Sequence, residues 1–321
     1  MTTAPWTSGP GEPLVRDARS AGRYAYGDPT VAEQVSLEAI NRARLNPEQE
    51  AADCGIDLNE GLAQGTLGTP VQPLTFNASL LTSARNHSLD MMANNYMEHT
   101  SLDGTTPYQR MANAGFLYSC ASENIAWVGS TGPMDEIAAT LFLHQDLFVD
   151  DTVNGRGHRL NILDPDFREV GVGIVSGAFT LYESGAVTYP YSYMLTYDFG
   201  TSREYSQAFI LGVVFDDKNR DTRYSAGEGK SDVVIEVLQG TGLKADTVTA
   251  TAGGYALPMA PGNYTVRATL PDERTAEKNV NLSTVNVKVD FLTQDFQGNQ
   301  APGSSGGGGG GCFISGLLTG P

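Results

Sequence analysis

The 321-residue chain has little basic charge, with 20 Lys and Arg against 37 Asp and Glu and a formal net charge of −17. No lysine precedes Lys218, so residues 1–206 hold 11 basic and 25 acidic residues (net −14), and residues 207–321 hold 9 and 12 (net −3). Proteins that bind nucleic acids or anionic membranes need a basic surface, and this composition excludes both classes. The change in composition near residue 206 predicts a domain boundary there.

Cysteines and long apolar runs are scarce as well. The three cysteines, Cys54, Cys120 and Cys312, show no C-x-x-C spacing, which excludes a disulfide scaffold and the common zinc ribbons. Cys54 and Cys120 are open to two interpretations, a single disulfide or two buried thiols. No apolar run reaches the roughly 18 residues of a transmembrane helix, so we expect none. The first residues lack the charged and apolar regions of a signal peptide, so we expect no such peptide within this chain.

The first half of the chain has the periodicity of a mixed helical and stranded domain. Residues 1–29 have no periodic pattern and are predicted to be a flexible leader, followed by a domain over residues 30–203. Apolar positions at helical spacing predict four helices in this domain, near residues 30–46, 77–95, 107–114 and 134–148. The aromatic and β-branched runs between residues 170 and 200 are typical of strands. The sequence therefore predicts an α+β fold.

The second half has a different pattern. Short apolar runs alternate with turn residues such as Pro261-Gly262-Asn263, and many short strands over residues 207–293 predict an all-β sandwich of immunoglobulin-like size. Residues 294–321 contain a glycine run and are predicted to be a flexible tail.

Three residues in the first domain could form a chemical site. His99, Glu123 and His158 would together supply two imidazoles and one carboxylate, which suits Zn²⁺ or another divalent metal, or an acid–base pair. Their spacing alone does not show that they meet. His87 falls on the apolar face of the second predicted helix, so we expect it to be a packed, hydrogen-bonded core residue.

Several motifs in this domain occur in a characteristic order. They are ARNHS at Ala84–Ser88, EHT at Glu98–Thr100, ENIA at Glu123–Ala126, GHRLNIL at Gly157–Leu163 and VGVG at Val170–Gly173. In this order they resemble the CAP superfamily, also called the SCP domain, which includes cysteine-rich secretory and pathogenesis-related proteins. The similarity is to the bacterial branch, which lacks the disulfides of the animal members.

The resemblance implies an α-β-α sandwich with a central cleft that two histidines and two acidic residues line. His99, Glu123 and His158 match three of these positions. The helix before the GHR motif has no glutamate at the fourth, where His144 or Gln145 stands instead. The resemblance also implies a protein that is extracellular or displayed at the cell surface.

The residue types favour a binding protein over an enzyme. Neither the G-x-S-x-G motif of serine hydrolases nor the H-E-x-x-H motif of metalloproteases occurs in the chain. The leading hypothesis is a binding module whose ligand is a small apolar molecule, a glycan or a protein. The alternatives are a metal-dependent hydrolase that uses His99, Glu123 and His158, and a non-catalytic structural surface protein.

The second domain contains a motif of its own between Asp217 and Glu228. Its twelve residues follow the order of a calcium-binding loop, in which oxygen ligands occupy positions 1, 3, 5, 7, 9 and 12. These positions correspond to Asp217, Asn219, Asp221, the Arg223 carbonyl, Ser225 and Glu228. Thr222 stands at position 6, where glycine is usual. The surrounding pattern resembles the B-type repeats of bacterial adhesins and carboxypeptidase-regulatory-like domains, which implies a Ca²⁺-stabilised stalk.

Overall fold

A computed structural model describes residues 27–182, 185–204 and 207–297. Its first part combines helices with one sheet and ends at Ser202, and its second part consists mainly of strands and begins at Ala208. Most of the predicted leader, the Gly-rich tail beyond residue 297 and Cys312 lie outside the described residues. Cys54 and Cys120 are both free thiols in this structure.

Six helices build the first part, and most begin at a recognisable cap. Thr30 and Glu33 form a capping box at the start of the first helix, and Asn77 and Asp135 cap two others through their side chains. The four helices predicted from periodicity are confirmed, whereas the second and sixth were not predicted. The helices are α1 (Val31–Leu45), α2 (Pro47–Cys54), α3 (Ala78–Asn94), α4 (Pro107–Asn113), α5 (Glu136–Val149) and α6 (Gly157–Ile162).

Four strands form the sheet of the first part in the order β1-β3-β4-β2. They are β1 (Thr75–Phe76), β2 (Tyr118–Ser130), β3 (Glu169–Leu181) and β4 (Val187–Ser202). The central strand β4 runs antiparallel to both β2 and β3, which leaves β2 at one edge. Strand β2, which contains the ENIA motif, was not predicted. Helix α3 covers one face of the sheet, and α1 and α5 pack against the other face through a common apolar core.

Two glycines of the VGVG motif bring α3 into direct contact with β3. A Cβ atom at Gly171 would lie 2.0 Å from the backbone carbon of Leu80, and one at Gly173 would lie 2.3 Å from that of Ala84. No side chain fits at either position, because the helix backbone occupies the space. The resulting close approach also allows the Ser88 hydroxyl to donate to the Gly173 carbonyl at 2.9 Å.

Eight strands and one 3₁₀ turn make up the second part. They are β5 (Ala208–Phe215), β6 (Val234–Gln239), β7 (Gly242–Val248), β8 (Gly254–Met259), β9 (Gly262–Thr269), β10 (Thr275–Leu282), β11 (Val287–Lys288), β12 (Phe291–Leu292) and the 3₁₀ turn Thr293–Asp295. One sheet has the order β10-β9-β6-β7, and in the other β5 pairs with β8, β11 and β12. Apolar side chains from both sheets share one core. Strand β10 was not predicted, and the immunoglobulin-like classification stays a prediction.

The two parts are in direct contact through buried polar groups. The side-chain amide of Asn286 donates to the carbonyls of Pro73 and Arg168, each at 2.9 Å. Lys288 forms an ion pair with Glu38 of α1 at 2.9 Å. Helix α1, which carries Glu38, is buried around most of its circumference although its composition is partly polar. The domain boundary between residues 203 and 207 stays a prediction, and the parts on its two sides share an interface. Across the described ranges, no helix has both the length and the apolar character needed to cross a membrane.

We expect Gly171→Ala to destabilise the first part by about 1–3 kcal/mol, because the added methyl group collides with the backbone of α3 rather than with a movable side chain. This corresponds to a fall in melting temperature of several degrees, at about 2–4 °C per kcal/mol for a protein of this size. Gly132→Ala is the matched control, since a Cβ atom there would meet nothing within 4 Å. Equal melting temperatures for the two variants, measured by calorimetry, would contradict the proposed packing constraint.

Candidate functional site

A buried carboxylate, Glu123 of β2, is the centre of a polar network in the first part. Its side chain is almost inaccessible to solvent although β2 is an edge strand. One carboxylate oxygen lies 2.8 Å from Nδ1 of His99, and the other accepts a hydrogen bond from Nη2 of Arg110 at 2.5 Å. Both oxygens therefore have a charged or polar donor, which is what makes the burial of this carboxylate tolerable.

The connection between α3 and α4 delivers both partners of Glu123. Helix α3 ends at Asn94, and its C-cap residue Asn95 has the left-handed conformation that terminates the helix. Helix α4 begins at Pro107 and brings Arg110 toward β2. The guanidinium of Arg110 also donates from Nη1 to the Ser101 hydroxyl at 3.2 Å and to the Thr105 carbonyl at 3.1 Å. One arginine thus fixes both the carboxylate and the loop in front of it.

Two further buried groups lie behind this carboxylate. Asp198 of β4 stands directly opposite Glu123 in the strand register and is fully buried. Burial, together with the nearby charge of Glu123, raises the pKa of Asp198 well above its ordinary value. His87 of α3 is also fully buried, as predicted for a core histidine, and its Nε2 lies 3.1 Å from the Glu98 carbonyl and 3.9 Å from Glu123.

An open cleft of about 590 Å³ adjoins the network. Helix α3, the loop of residues 101–105 and helix α4 form its walls, and we refer to it as the α3–α4 cleft. Arg110 and His87 line this cleft and also approach Glu123. The buried network and the open cleft are therefore parts of one structural unit.

His158 has a carboxylate partner of its own. Its Nδ1 lies 2.9 Å from one oxygen of Asp150, and its backbone N–H donates to the other oxygen at 2.8 Å. The side-chain amide of Asn124 donates to the His158 carbonyl at 3.0 Å. Neighbouring residues on a strand point to opposite faces of a sheet, so Asn124 and Glu123 are directed to different sides of β2. The structure thus assigns His99 and His158 to two different carboxylates.

The arrangement of the two histidines bears on metal binding. A carboxylate accepts hydrogen bonds, so in the neutral rings of His99 and His158 Nδ1 is the donor and Nε2 carries the lone pair. Metal-binding histidines are commonly oriented by a carboxylate in this way. Nevertheless, the described residues include no group of three or more His, Cys, Asp or Glu side chains that could hold a metal ion. A metal site formed by His99, Glu123 and His158 stays a prediction.

His144, the other candidate for the cleft, lies in the core. Its ring is almost completely buried, and its Nδ1 is 3.5 Å from the hydroxyl of Tyr197. Burial, reinforced by the charge of Arg42, lowers the pKa of His144 to about 3, so the ring is neutral in the folded protein. The neighbouring Gln145 is exposed. The α3–α4 cleft is lined by other residues.

Sequence reasoning missed three charged residues of these networks. The sequence around Asp198 could have marked this residue as important. An acidic residue within an apolar, aromatic strand is costly to bury and is rarely found there without a role. Asp150 and Arg110 gave no such signal, since an aspartate beside a second aspartate and an arginine on a short polar helix are typical of exposed positions. Only the fold shows that their side chains reach His158 and Glu123.

The loop from Asp217 to Glu228 is closed by hydrogen bonds from its own backbone. Asp217 accepts from the backbone N–H groups of Asp221 and Thr222 at 3.0 and 3.2 Å, and Glu228 accepts from those of Lys218 and Ser225 at 3.0 and 2.8 Å.

The three other side-chain ligands predicted for this loop are joined by side-chain hydrogen bonds. The Asn219 amide donates to Asp221 at 3.0 Å and to the Ser225 hydroxyl at 3.2 Å. Thr222 has a φ of 62°, the left-handed conformation for which glycine is usual at this position. Arg223 extends out of the loop and contacts Asp53 of the first part at 3.2 Å.

Comparisons with known proteins agree with the motifs of the first part. Residues 37–195 match the model of the cysteine-rich secretory protein family, CAP. The uncharacterized protein YkwD of Bacillus subtilis is 35% identical over 117 residues, which are 36% of this chain and 38% of YkwD. The chain thus spans little more than a third of the length of this relative. The CAP resemblance is confirmed for this part of the chain.

Two solved structures are also similar in part. An extracellular protein with an SCP domain from Bacillus anthracis is 26% identical to this chain. The match covers 41% of this chain and 35% of that protein's chain, with a TM-score of 0.29. An outer surface protein of Borrelia burgdorferi is 17% identical to this chain. The match covers 41% of this chain and 80% of that protein's chain, with a TM-score of 0.28. TM-scores this low carry no structural conclusion.

The buried His144 predicts a specific sensitivity to acid. Its folded-state pKa of about 3 lies below the ordinary value of 6.5, so between these values the unfolded state binds a proton that the folded state does not. Stability therefore falls as the pH drops below about 6.5, by about 1.4 kcal/mol per pH unit from this residue. Between pH 7 and pH 5, we expect the free energy of unfolding of the wild-type protein to fall by about 2 kcal/mol more than that of His144→Gln, measured by urea unfolding. Equal losses would show that His144 does not titrate on unfolding.

Proposed function

We propose that this chain, whose residues 37–195 match the model of the CAP family, is an extracellular or surface-displayed binding protein. The ligand site is the α3–α4 cleft beside the Glu123 network, and the second part is a calcium-stabilised support. The family description names secretory proteins, and the acidic composition leaves no basic surface for nucleic acid.

The observation that carries the binding role is the arrangement of Arg110. Its guanidinium bonds Glu123 inside the protein and the loop of residues 101–105 at the cleft, so the wall of the cleft is held in place without a ligand. Ser101, the serine nearest His99 in the sequence, accepts from Arg110 instead of being paired with a histidine. A nucleophilic serine needs a base within hydrogen-bond reach. The geometry thus favours a preformed binding site over covalent catalysis.

The binding role can be separated from hydrolysis by experiment. We expect at least one of three probes, palmitate, chitotriose and a casein peptide, to raise the melting temperature of the full chain. Arg110→Met should abolish the shift because the cleft wall loses its anchor. Arg203→Met, at an exposed position outside the cleft, is the matched control. Zn²⁺-dependent turnover of an ester or peptide, lost in Glu123→Gln and retained in Glu98→Gln, would instead establish the hydrolase.

The calcium role of the second part is supported by the closed loop from Asp217 to Glu228. Positions 1 and 12 accept backbone N–H groups across the loop, while positions 3, 5 and 9 are linked through the Asn219 amide. Such hard oxygen groups suit Ca²⁺, and the charges of Asp217, Asp221 and Glu228 repel one another without a cation. The loop starts at the end of β5, so a bound ion would stabilise the strand beside the interface.

We expect Ca²⁺ to bind the full chain with a Kd of about 10⁻⁴–10⁻³ M, the range of extracellular domains, and to raise its melting temperature at millimolar concentration. Glu228→Gln should remove both effects, since it eliminates the bidentate ligand. Glu277→Gln, an equivalent change at an exposed strand residue, is the control. Calorimetric titration that shows no heat for wild type, or equal binding in the Glu228 variant, would exclude this site.

A further inference from the structure

Most of the residues that line the α3–α4 cleft have polar side chains. Among its thirteen lining residues, only Leu102 and Ala114 have apolar side chains. Exposed asparagines, Asn86 on α3 and Asn113 on α4, contribute from both helices. A volume of about 590 Å³ lies within the range of about 300–1,000 Å³ that is typical of small-molecule sites.

Two lining residues carry buried groups without hydrogen-bond partners. His87 is fully buried, and its pKa is lowered by burial, so its ring is neutral. Because Nε2 faces the Glu98 carbonyl it must be the protonated nitrogen, which leaves Nδ1 as an acceptor with no donor. The Nε atom of Arg110 is a buried donor with no acceptor. Among the described residues, one buried acceptor and one buried donor beside the cleft therefore have no protein partner.

These unmatched groups restrict the chemistry of the ligand. A hydroxyl group both donates and accepts, so neighbouring hydroxyls satisfy a lone ring nitrogen and a guanidinium N–H together. A purely apolar ligand would leave both groups unsatisfied and would also strip water from the asparagines. The exposed side chain of Leu102, at the cleft, provides an apolar surface for the carbon face of such a molecule.

The charge of the site further narrows the ligand class. Asp90 and Asp103 line the cleft opposite the single cation Arg110, whose charge already compensates Glu123. Residues 1–206 carry a net charge of −14. An anionic polysaccharide or a fatty acid would therefore be repelled, whereas a neutral molecule would not.

We propose that the α3–α4 cleft binds a neutral, polyhydroxylated ligand of oligosaccharide type. The inference rests on the proposed binding function, to which it adds the ligand class. It assigns His87 and Arg110 as the buried recognition groups and the asparagines Asn86 and Asn113 as the outer ones.

Saturation-transfer NMR on the full chain tests this proposal, with chitotriose and maltotriose as neutral probes and palmitate as the apolar probe. We expect transfer to at least one saccharide and none to palmitate. The double variant Asn86→Ala/Asn113→Ala should bind the saccharide at least about tenfold more weakly, as expected for two lost hydrogen bonds. Both asparagines are exposed, so these changes leave the core intact. Leu89→Ala, at an exposed α3 position outside the lining, should bind like wild type.

Each other outcome overturns the inference in a distinct way. Transfer to palmitate alone would keep the binding function but reject the ligand class. Saccharide binding that the asparagine variant retains would place the site elsewhere. Absence of transfer to all three probes would reject the saccharide proposal, while a thermal shift with a casein peptide would still support a binding protein.

Discussion

The burial of one carboxylate, Glu123, governs the architecture around the cleft. A carboxylate that is shielded from solvent on an edge strand is stable only with partners, because an uncompensated buried charge costs several kcal/mol. Both partners, His99 and Arg110, come from the segment that joins α3 to the end of α4. The path of that segment, and therefore the shape of the cleft, follows from where the carboxylate lies. Asp198 directly opposite is accommodated because its raised pKa favours the neutral form, which avoids a second charge.

The interface between the two parts is a second constraint and is also polar. Asn286 donates to two backbone carbonyls of the first part, those of Pro73 and Arg168, and Lys288 is paired with Glu38. Buried polar pairs contribute little net stability, but they fix orientation because any shift leaves a group unsatisfied. The contact of Arg223 with Asp53 extends this interface to the loop of residues 217–228. A cation in that loop would therefore act on the relative position of the two parts as well as on the strands.

The sequence was sufficient where one local rule determined the outcome. Helices α1, α3, α4 and α5 followed from apolar spacing and caps, and the ordered motifs indicated the resemblance to the CAP family, whose model matches residues 37–195. The sequence alone was insufficient where tertiary contacts determine whether a segment forms a helix or strand and where a side chain lies. Strand β2 and helix α6 carry polar motif residues that mask their periodicity, and β10 alternates polar and small residues at the edge of its sheet. The placement of His144 in the core depends on which face of α5 meets α1, which its sequence neighbours do not reveal.

The geometry of Glu123 also bears on the choice between binding and catalysis. A general base must have a lone pair within reach of the proton it removes. Both oxygens of Glu123 already accept a hydrogen bond, one from His99 and one from Arg110, and the side chain is almost inaccessible to solvent in this conformation. Access of a water or substrate hydroxyl to this carboxylate would therefore need a local rearrangement. If Arg110 withdrew, it would release the loop that it holds at Thr105 and Ser101. The same arginine thus stabilises the buried carboxylate and holds the wall of the α3–α4 cleft.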